Sequence, residues 1–209
     1  MSTDAAVSKA GTKGVPRPER EQQILDAATD VFGAAGFARA TVADVARRSG
    51  VSKPLVLNYF GSKEGLYVAC AERAGANLVE HVEDVMARHD VPVDLASAAL
   101  VAVFAALEPR PHDWNVLNDR TAPDGPPSDA ARRHRRAIAE HSARGAALLA
   151  DVAGLDADDA SILTDIWMNT VTAMVHWWLR HPDRSATEMS DRARRIVAVV
   201  GNRYPGEAP

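Results

Sequence analysis

The sequence predicts an all-helical protein of two parts, a three-helix head and a longer helical body. Three observations predict it. No segment of the 209 residues alternates apolar and polar side chains convincingly with period two. Apolar residues instead recur at three- and four-residue intervals over most of the chain. Glycines, prolines and Ser/Thr/Asp capping positions cut it into helix-length pieces.

Residues 1–18 mix Ser, Gly, Lys and Pro without periodicity and are expected to form a disordered arm. A helix follows from about Glu19, with Ile24, Ala28, Val31 and Ala35 on one face and Leu25 and Phe32 beside them. Gly36 can take the left-handed conformation that ends it, and Phe37 can fold back onto the last turn. Thr41-x-x-Asp44 has capping-box spacing for a second, short helix with Val42, Val45 and Ala46 facing inward. Gly50 closes it, and Val51 can fill the gap between helices. Ser52 caps a third helix, where Pro54 is tolerable because first-turn N–H groups lack helical partners.

Gly61 ends the third helix and Ser62 caps a fourth, with Leu66, Cys70, Ala74, Leu78, Val82 and Val85 on one side. Pro92 and Asp94 precede an apolar helix that ends at Leu107. A loop over 108–113, a short turn of helix at 114–117 and a loop over 121–129 follow. Long helices are predicted from about 129 to 152 and from about 156 to 180, the latter ended by Pro182. Ser185-x-x-Glu188 is a second capping box, and Met189, Ala193, Ile196 and Val200 make the last helix amphipathic.

Composition narrows the function classes. Hydrophobic residues at 46% and charged residues at 25% exclude disorder throughout, and with aromatics at 5% aliphatic and alanine packing must build most of the core. The single Cys70 excludes an internal disulfide framework and a paired-cysteine zinc site. The longest mostly apolar runs, 95–107 and 166–179, are 13 and 14 residues. Both fall short of the roughly 20 needed to cross a bilayer, so no membrane partner is expected. The opening MSTDAAVSKAGTKG has no stretch able to act as a secretory signal, and a cytoplasmic location is expected. Charge is uneven: residues 1–67 carry 9 Lys/Arg against 7 Asp/Glu, and the remainder 15 against 21. A basic end on an acidic body suits a polyanion at that end.

Residues 41–59 read as two short helices joined at Ser49-Gly50-Val51, which fits a helix-turn-helix: the first helix crosses the phosphate backbone and the second presents side chains to the major groove. A plain helical hairpin explains the caps and the glycine. It does not explain Lys53, Asn58, Tyr59 and Lys63 around a helix too short to bury much.

The stretch EQQILDAA at 21–28, Phe32, Gly36-Phe37, Thr41-Val42-x-Asp44-Val45-Ala46, Ser49-Gly50-Val51-Ser52, Tyr59-Phe60 and Ser62-Lys63-Glu64-x-Leu66 together resemble the N-terminal domain of tetracycline-repressor-type (TetR-family) regulators. The match spans about residues 20–67. The resemblance implies a helix-turn-helix DNA-binding domain over 1–60 and a helical ligand-binding and dimerisation domain over 61–209. It further implies a homodimer on a double-stranded operator, released by a small-molecule effector. Thr41, Tyr59 and Lys63 match phosphate-contacting positions, Lys53, Pro54, Leu55 and Asn58 match groove-facing ones, and the capping Ser52 stands with them. The chemistry agrees: hydroxyl and ammonium groups donate to phosphate oxygens, Asn58 can pair with adenine, Lys53 with guanine, and Leu55 can touch a thymine methyl. Leu57 stands where the family usually has Tyr, and Pro54-Leu55 where it often has Gly-Thr. Leu57 cannot donate a hydrogen bond, so the operator does not carry over from relatives.

The body has no diagnostic motif, so its sites follow from the family's architecture. Leu78, Phe104, Trp114, Ile138, His141, Trp167 and Val171 are candidates for lining a cavity, with His141 and Asn169 the main polar partners. That composition predicts a mostly apolar effector, and a closed core is the other arrangement it allows. Adjacent Trp177 and Trp178 point about 100° apart, so their helix must be covered on more than one side. Its own core plus a partner subunit would do so, which places Trp178, Ile196 and Val200 at a dimer interface. Arg132, Arg133, Arg135 and Arg136 read as a solvated helix face. Lys9, Lys13, Arg17 and Arg20 form either an arm reaching a minor groove or a solubilising tail.

No carboxylate or thiol completes a ligand set around the histidines, so no metal is expected. No cofactor is implied, and with no nucleophile–base pair the chain is not expected to be an enzyme. The function predicted is a repressor. An activator on the same scaffold is the alternative, and a helical interaction module without DNA binding is the reading from another class.

Overall fold

The computed structural model describes residues 14–88 and 92–201, and every regular element among them is a helix. The arm predicted over 1–18 lies mostly outside the described residues, Lys9 and Lys13 included. Arg17 and Pro18 do not belong to it: helix α1 (Arg17–Arg39) starts two residues earlier than predicted, because Pro18 sits in the first turn where its missing N–H costs nothing. Gly36 breaks α1 with φ 74° and ψ 159°, a combination open essentially only to glycine. The turn returns Phe37 to the core, where Phe32 and Phe37 meet the Tyr67 ring edge-on at 5.1 and 5.3 Å. Helices α2 (Val42–Ser49) and α3 (Lys53–Phe60) follow. Gly50, left-handed at φ 68°, ends α2, and the Val51 N–H then donates to the Ala46 carbonyl at 3.0 Å.

Among the described residues six further helices build the body: α4 (Lys63–Arg88), α5 (Pro92–Leu107), α6 (Asp113–Leu117), α7 (Pro126–Ala153), α8 (Ala157–Leu179) and α9 (Ala186–Gly201). Helix α7 opens at Pro126, ahead of the expected 129, since two prolines are again accommodated in a first turn. Ser185 and Glu188 form the reciprocal cap expected of their spacing, at 3.0 and 3.2 Å. None of the helices among the described residues is long and apolar enough to cross a membrane.

Two apolar clusters share α4. Leu66, Tyr67, Cys70 and Ala71 pack with the head, around Ile24, Phe32, Val45 and Val56, while Ala74, Leu78 and Val82 pack with the body. Helix α4 is therefore one rigid rod common to both. At Gly75 it lies so close to α7 that a Cβ would fall 1.9 Å from the His134 ring. His134 Nε2 meets Glu72 Oε2 at 2.7 Å, and Arg133 pairs with the same carboxylate. The 132–136 run is thus not one solvated face. Arg132 and Arg136 pair on their own helix, whereas Arg133 and His134 tie α7 to α4 and Arg135 donates to the Leu117 carbonyl.

Trp177 and Trp178 are both packed from within the chain. Trp178 is 5% exposed within the single chain, with its ring edge-on to Phe104 at 5.5 Å and its Nε1–H donating to the Arg184 carbonyl at 2.8 Å. The chain after α8 folds back over it, so its burial is supplied within the single chain, whereas the sequence reading placed it at a dimer interface. Trp177, pointing elsewhere, stacks on His181 with centroids 3.8 Å apart beneath Arg192. Both sides of this helix end are covered from within the chain.

Candidate nucleic-acid interface and effector cavity

The head presents its polar residues at capped helix starts. Thr41 precedes α2, and its hydroxyl accepts from the Asp44 N–H at 3.1 Å and donates to the Asp44 carboxylate at 2.6 Å. The Thr41 hydroxyl, with Arg47 at 2.6 Å, holds the Asp44 carboxyl below its ordinary range. Ser52 caps α3 by accepting from the Leu55 N–H at 3.3 Å. Val56 is buried and anchors α3, which leaves Lys53, Pro54 and Asn58 exposed with Leu55 half-buried. Pro54 and Asn58, four apart, share one face.

Tyr59 and Lys63 flank that face in cation–aromatic pairs. The Arg17 guanidinium lies 5.2 Å from the Tyr59 ring centre, and the Lys63 ammonium 4.2 Å from that of Phe37. Ser62 caps α4 by accepting from the Gly65 N–H at 3.0 Å. Arg17 was assigned to the arm from sequence. Its place over Tyr59 depends on a contact forty residues away that no local pattern carries.

In the body, a cavity of about 260 Å³ lies among α4, α5, α6, α7, α8 and α9. Leu78, Trp114, Ile138, His141, Trp167 and Val171 line it. Phe104 does not: it is fully buried against Trp178, so it leaves the cavity set. Asn169 is not on the wall either, and its amide donates to the Asp165 carbonyl at 2.8 Å. Sequence reasoning missed Ser142, Gly145 and Ala146, which also line it. They were legible as steps of four, seven and eight from Ile138, one helical face whose small residues make room. Ile196, expected at an interface, is 44% exposed and also borders this cavity, while the side chain of Val200 lies outside the described residues.

His141 is 7% exposed, with Nε2 3.3 Å from the Glu83 carboxylate and Nδ1 receiving the Arg144 guanidinium. Both ring nitrogens are thereby engaged. Among the described residues no group of three or more His, Cys, Asp or Glu is placed to hold a metal ion.

An exposed short helix set after a tight turn, on an all-helical body with an internal apolar cavity, defines the class of helix-turn-helix proteins with a helical companion domain. Residues 24–70 match the family described as bacterial regulatory proteins, tetR family. The transcriptional activator FasR of Mycolicibacterium smegmatis is 37% identical over 94 residues, which are 45% of this chain and 43% of that protein. A TetR-like regulator from Rhodococcus sp. RHA1 superposes with a TM-score of 0.70 at 24% identity, covering 91% of this chain and all of that one. FadR from Bacillus subtilis, solved with stearoyl-CoA, gives 0.66 at 13% identity over 86% and 96% of the two chains. Residues 24–70 thus carry the family's N-terminal helix-turn-helix domain, and the whole chain has the fold of TetR-like regulators. The structural likenesses establish the fold, and the chain spans less than half the length of the curated relatives it matches.

Proposed function

We propose that this protein is a homodimeric, DNA-binding transcriptional regulator of the cytoplasm, a repressor released from its operator by a small, mostly apolar molecule. One observation carries the reading: the exposed α3 face and the apolar cavity are joined by α4 and α6. Residues 1–60 act as the reading head and 61–209 as the effector and dimer domain. Thr41, Tyr59 and Lys63 hold phosphates, while Ser52, Lys53, Pro54, Leu55 and Asn58 face the groove.

Transmission needs no catalysis. Trp114 lines the cavity, and the next residue, Asn115, donates to the Gly33 carbonyl of α1 at 3.0 Å. The Val116 carbonyl accepts from the buried Tyr67 hydroxyl at 2.7 Å. A ligand that shifts α6 therefore acts on the head directly. It changes DNA affinity by no more than its differential affinity for the two arrangements.

The exposed apolar residues Ile162 and Ile166 of α8 and Ile196 and Val199 of α9 support pairing of these helices with their copies in a second subunit. Stearoyl-CoA, with which FadR was solved, has a long apolar acyl chain on a polyanionic CoA, so it supports an apolar portion of the ligand only. The present cavity lies below the roughly 300–1,000 Å³ of drug-sized sites, which favours a smaller molecule here. The name of the FasR relative favours activation as the second reading.

The test is selection of bound duplexes from a random pool, followed by titration of the complex with apolar and polyanionic compounds. A selected palindrome released by apolar compounds alone supports the reading. Failure to select any duplex supports an interaction module, and a reporter fused downstream of the selected site separates repressor from activator.

A further inference from the structure

We propose that the effector cavity is completed by a second copy of this chain, so that each subunit's ligand is sealed in by its partner and ligand binding strengthens the dimer. This rests on the reading of the cavity as the effector site and of α8 and α9 as the dimer face, and it joins the two.

The rim of the cavity carries the inference. Of the residues that line it, only Ile166 of α8 and Ile196 of α9 are exposed, and the others are buried or half-buried. The opening therefore lies between these two helices. They leave it because each packs elsewhere, α8 on α7 and α9 on α5. Exposed Ile162 and Val199 extend the apolar strip beyond the rim, about one turn from Ile166 and from Ile196. In an open cavity an apolar ligand keeps part of its own surface in water, and the rim stays wet as well. An apolar cover removes both from water.

The charges beside the strip say which cover fits. Helix α8 carries three Asp and no Lys or Arg. Asp158 and Asp165 share a face with Ile162 and Ile166, both are exposed, and neither has an ion-pair partner among the described residues. On α9, Arg194 is taken by Asp191, but Arg195 is exposed without an ion-pair partner among the described residues, one turn from Val199. An acidic apolar helix beside a helix with a free arginine and its own apolar strip is complementary to itself under a two-fold axis. Helix α8 of one subunit then lies along α9 of the other. Ile162 and Ile166 meet Ile196 and Val199, and Arg195 of each subunit faces Asp158 and Asp165 of the other.

Butylbenzene, an uncharged apolar probe, tests this on the full-length protein by calorimetry and sedimentation. Ile162→Glu breaks the strip beside the rim without altering the wall. The variant should sediment as a monomer of wild-type helix content and bind butylbenzene at least about tenfold more weakly than the wild type. By linkage, saturating butylbenzene should lower the wild-type dimer dissociation constant about a hundredfold, tenfold for each of two sites. Arg195→Asp should weaken the dimer about tenfold, and adding Asp158→Arg and Asp165→Arg to the same chain should restore it. That exchange, like the wild-type linkage, is read whether or not Ile162→Glu folds. An Ile162→Glu protein that stays dimeric, or a dimer indifferent to the charge exchange, puts the interface elsewhere and overturns the proposal. So does a folded monomer that binds butylbenzene as the wild type does, or a dimer constant that butylbenzene leaves unchanged, while the cavity remains an effector site. A wild type that is monomeric at micromolar concentration refutes the dimer reading, and one that does not bind butylbenzene refutes the effector-site reading. The proposal falls with either.

Discussion

The Phe37 backbone N–H donates to the Asp119 carboxylate at 2.5 Å, tying the end of α1 to the loop after α6 across 82 residues of sequence. The neighbouring Ala38 N–H donates to the Thr121 hydroxyl at 3.1 Å, and that hydroxyl donates to Asp119 at 2.7 Å. A Cβ on Gly36 would lie 3.1 Å from the Thr121 hydroxyl. The turn that leads to Thr41 is thus clamped by the body at two successive residues, Phe37 and Ala38.

Asp119→Ala should leave the Phe37 amide without its partner and cost about 1–3 kcal/mol. Gly36→Ala should cost a similar ~1–3 kcal/mol, through backbone strain. Urea denaturation measures both. An unchanged midpoint for Asp119→Ala would show that solvent replaces the clamp.

On the head, Lys63→Ala should weaken binding to all duplexes and flatten the salt slope by about one unit. Asn58→Ala should instead relax choice at one operator position, at about 1–3 kcal/mol. Filter binding over a salt series and a base-substituted operator set separates the two. Unchanged preference at every position would remove Asn58 from the reading set.

Assembly should fail before folding does when Ile162 and Ile166 are both changed to Glu, because they are 57% and 54% exposed in the single chain. Sedimentation should show a folded monomer. Trp178→Glu should unfold the body, since it buries a charge beside Phe104. A wild type that sediments as a monomer at micromolar concentration would refute the dimer.

Burial pushes the Cys70 thiol from its ordinary 9.0 up to about 12. The folded state then holds its proton where the unfolded state has lost it. This contribution to stability is full below pH 9 and is lost as pH rises toward 12. Native protein at pH 8 should resist alkylation that urea-unfolded protein undergoes rapidly, and Cys70→Ala should flatten the alkaline arm of the stability profile. Rapid native alkylation would contradict the burial.

The head was legible because its signals are local. A Thr or Ser cap bonds to an N–H three residues on, a glycine supplies a positive φ where it stands, and the two short helices bury what their periodicity puts inward, Val42, Val45 and Ala46 in α2 and Val56 in α3. The capping pairs Thr41/Asp44 and Ser185/Glu188 lie where their spacing puts them for the same reason.

The body was legible only as a set of amphipathic helices. Burial of apolar surface is favourable without direction, so a periodic face says that it will be covered but not by what. Phe104 and Trp114 look alike in sequence, yet one fills the core against Trp178 and the other lines the cavity. Arg133 and Arg136 differ in the same way, one reaching Glu72 on α4 and the other Glu140 on its own helix. The residues by themselves determined the helices, their caps and the helix-turn-helix head. Only the tertiary structure decided which faces meet, because that depends on side-chain volumes brought together from distant parts of the chain, such as Gly75 beneath His134.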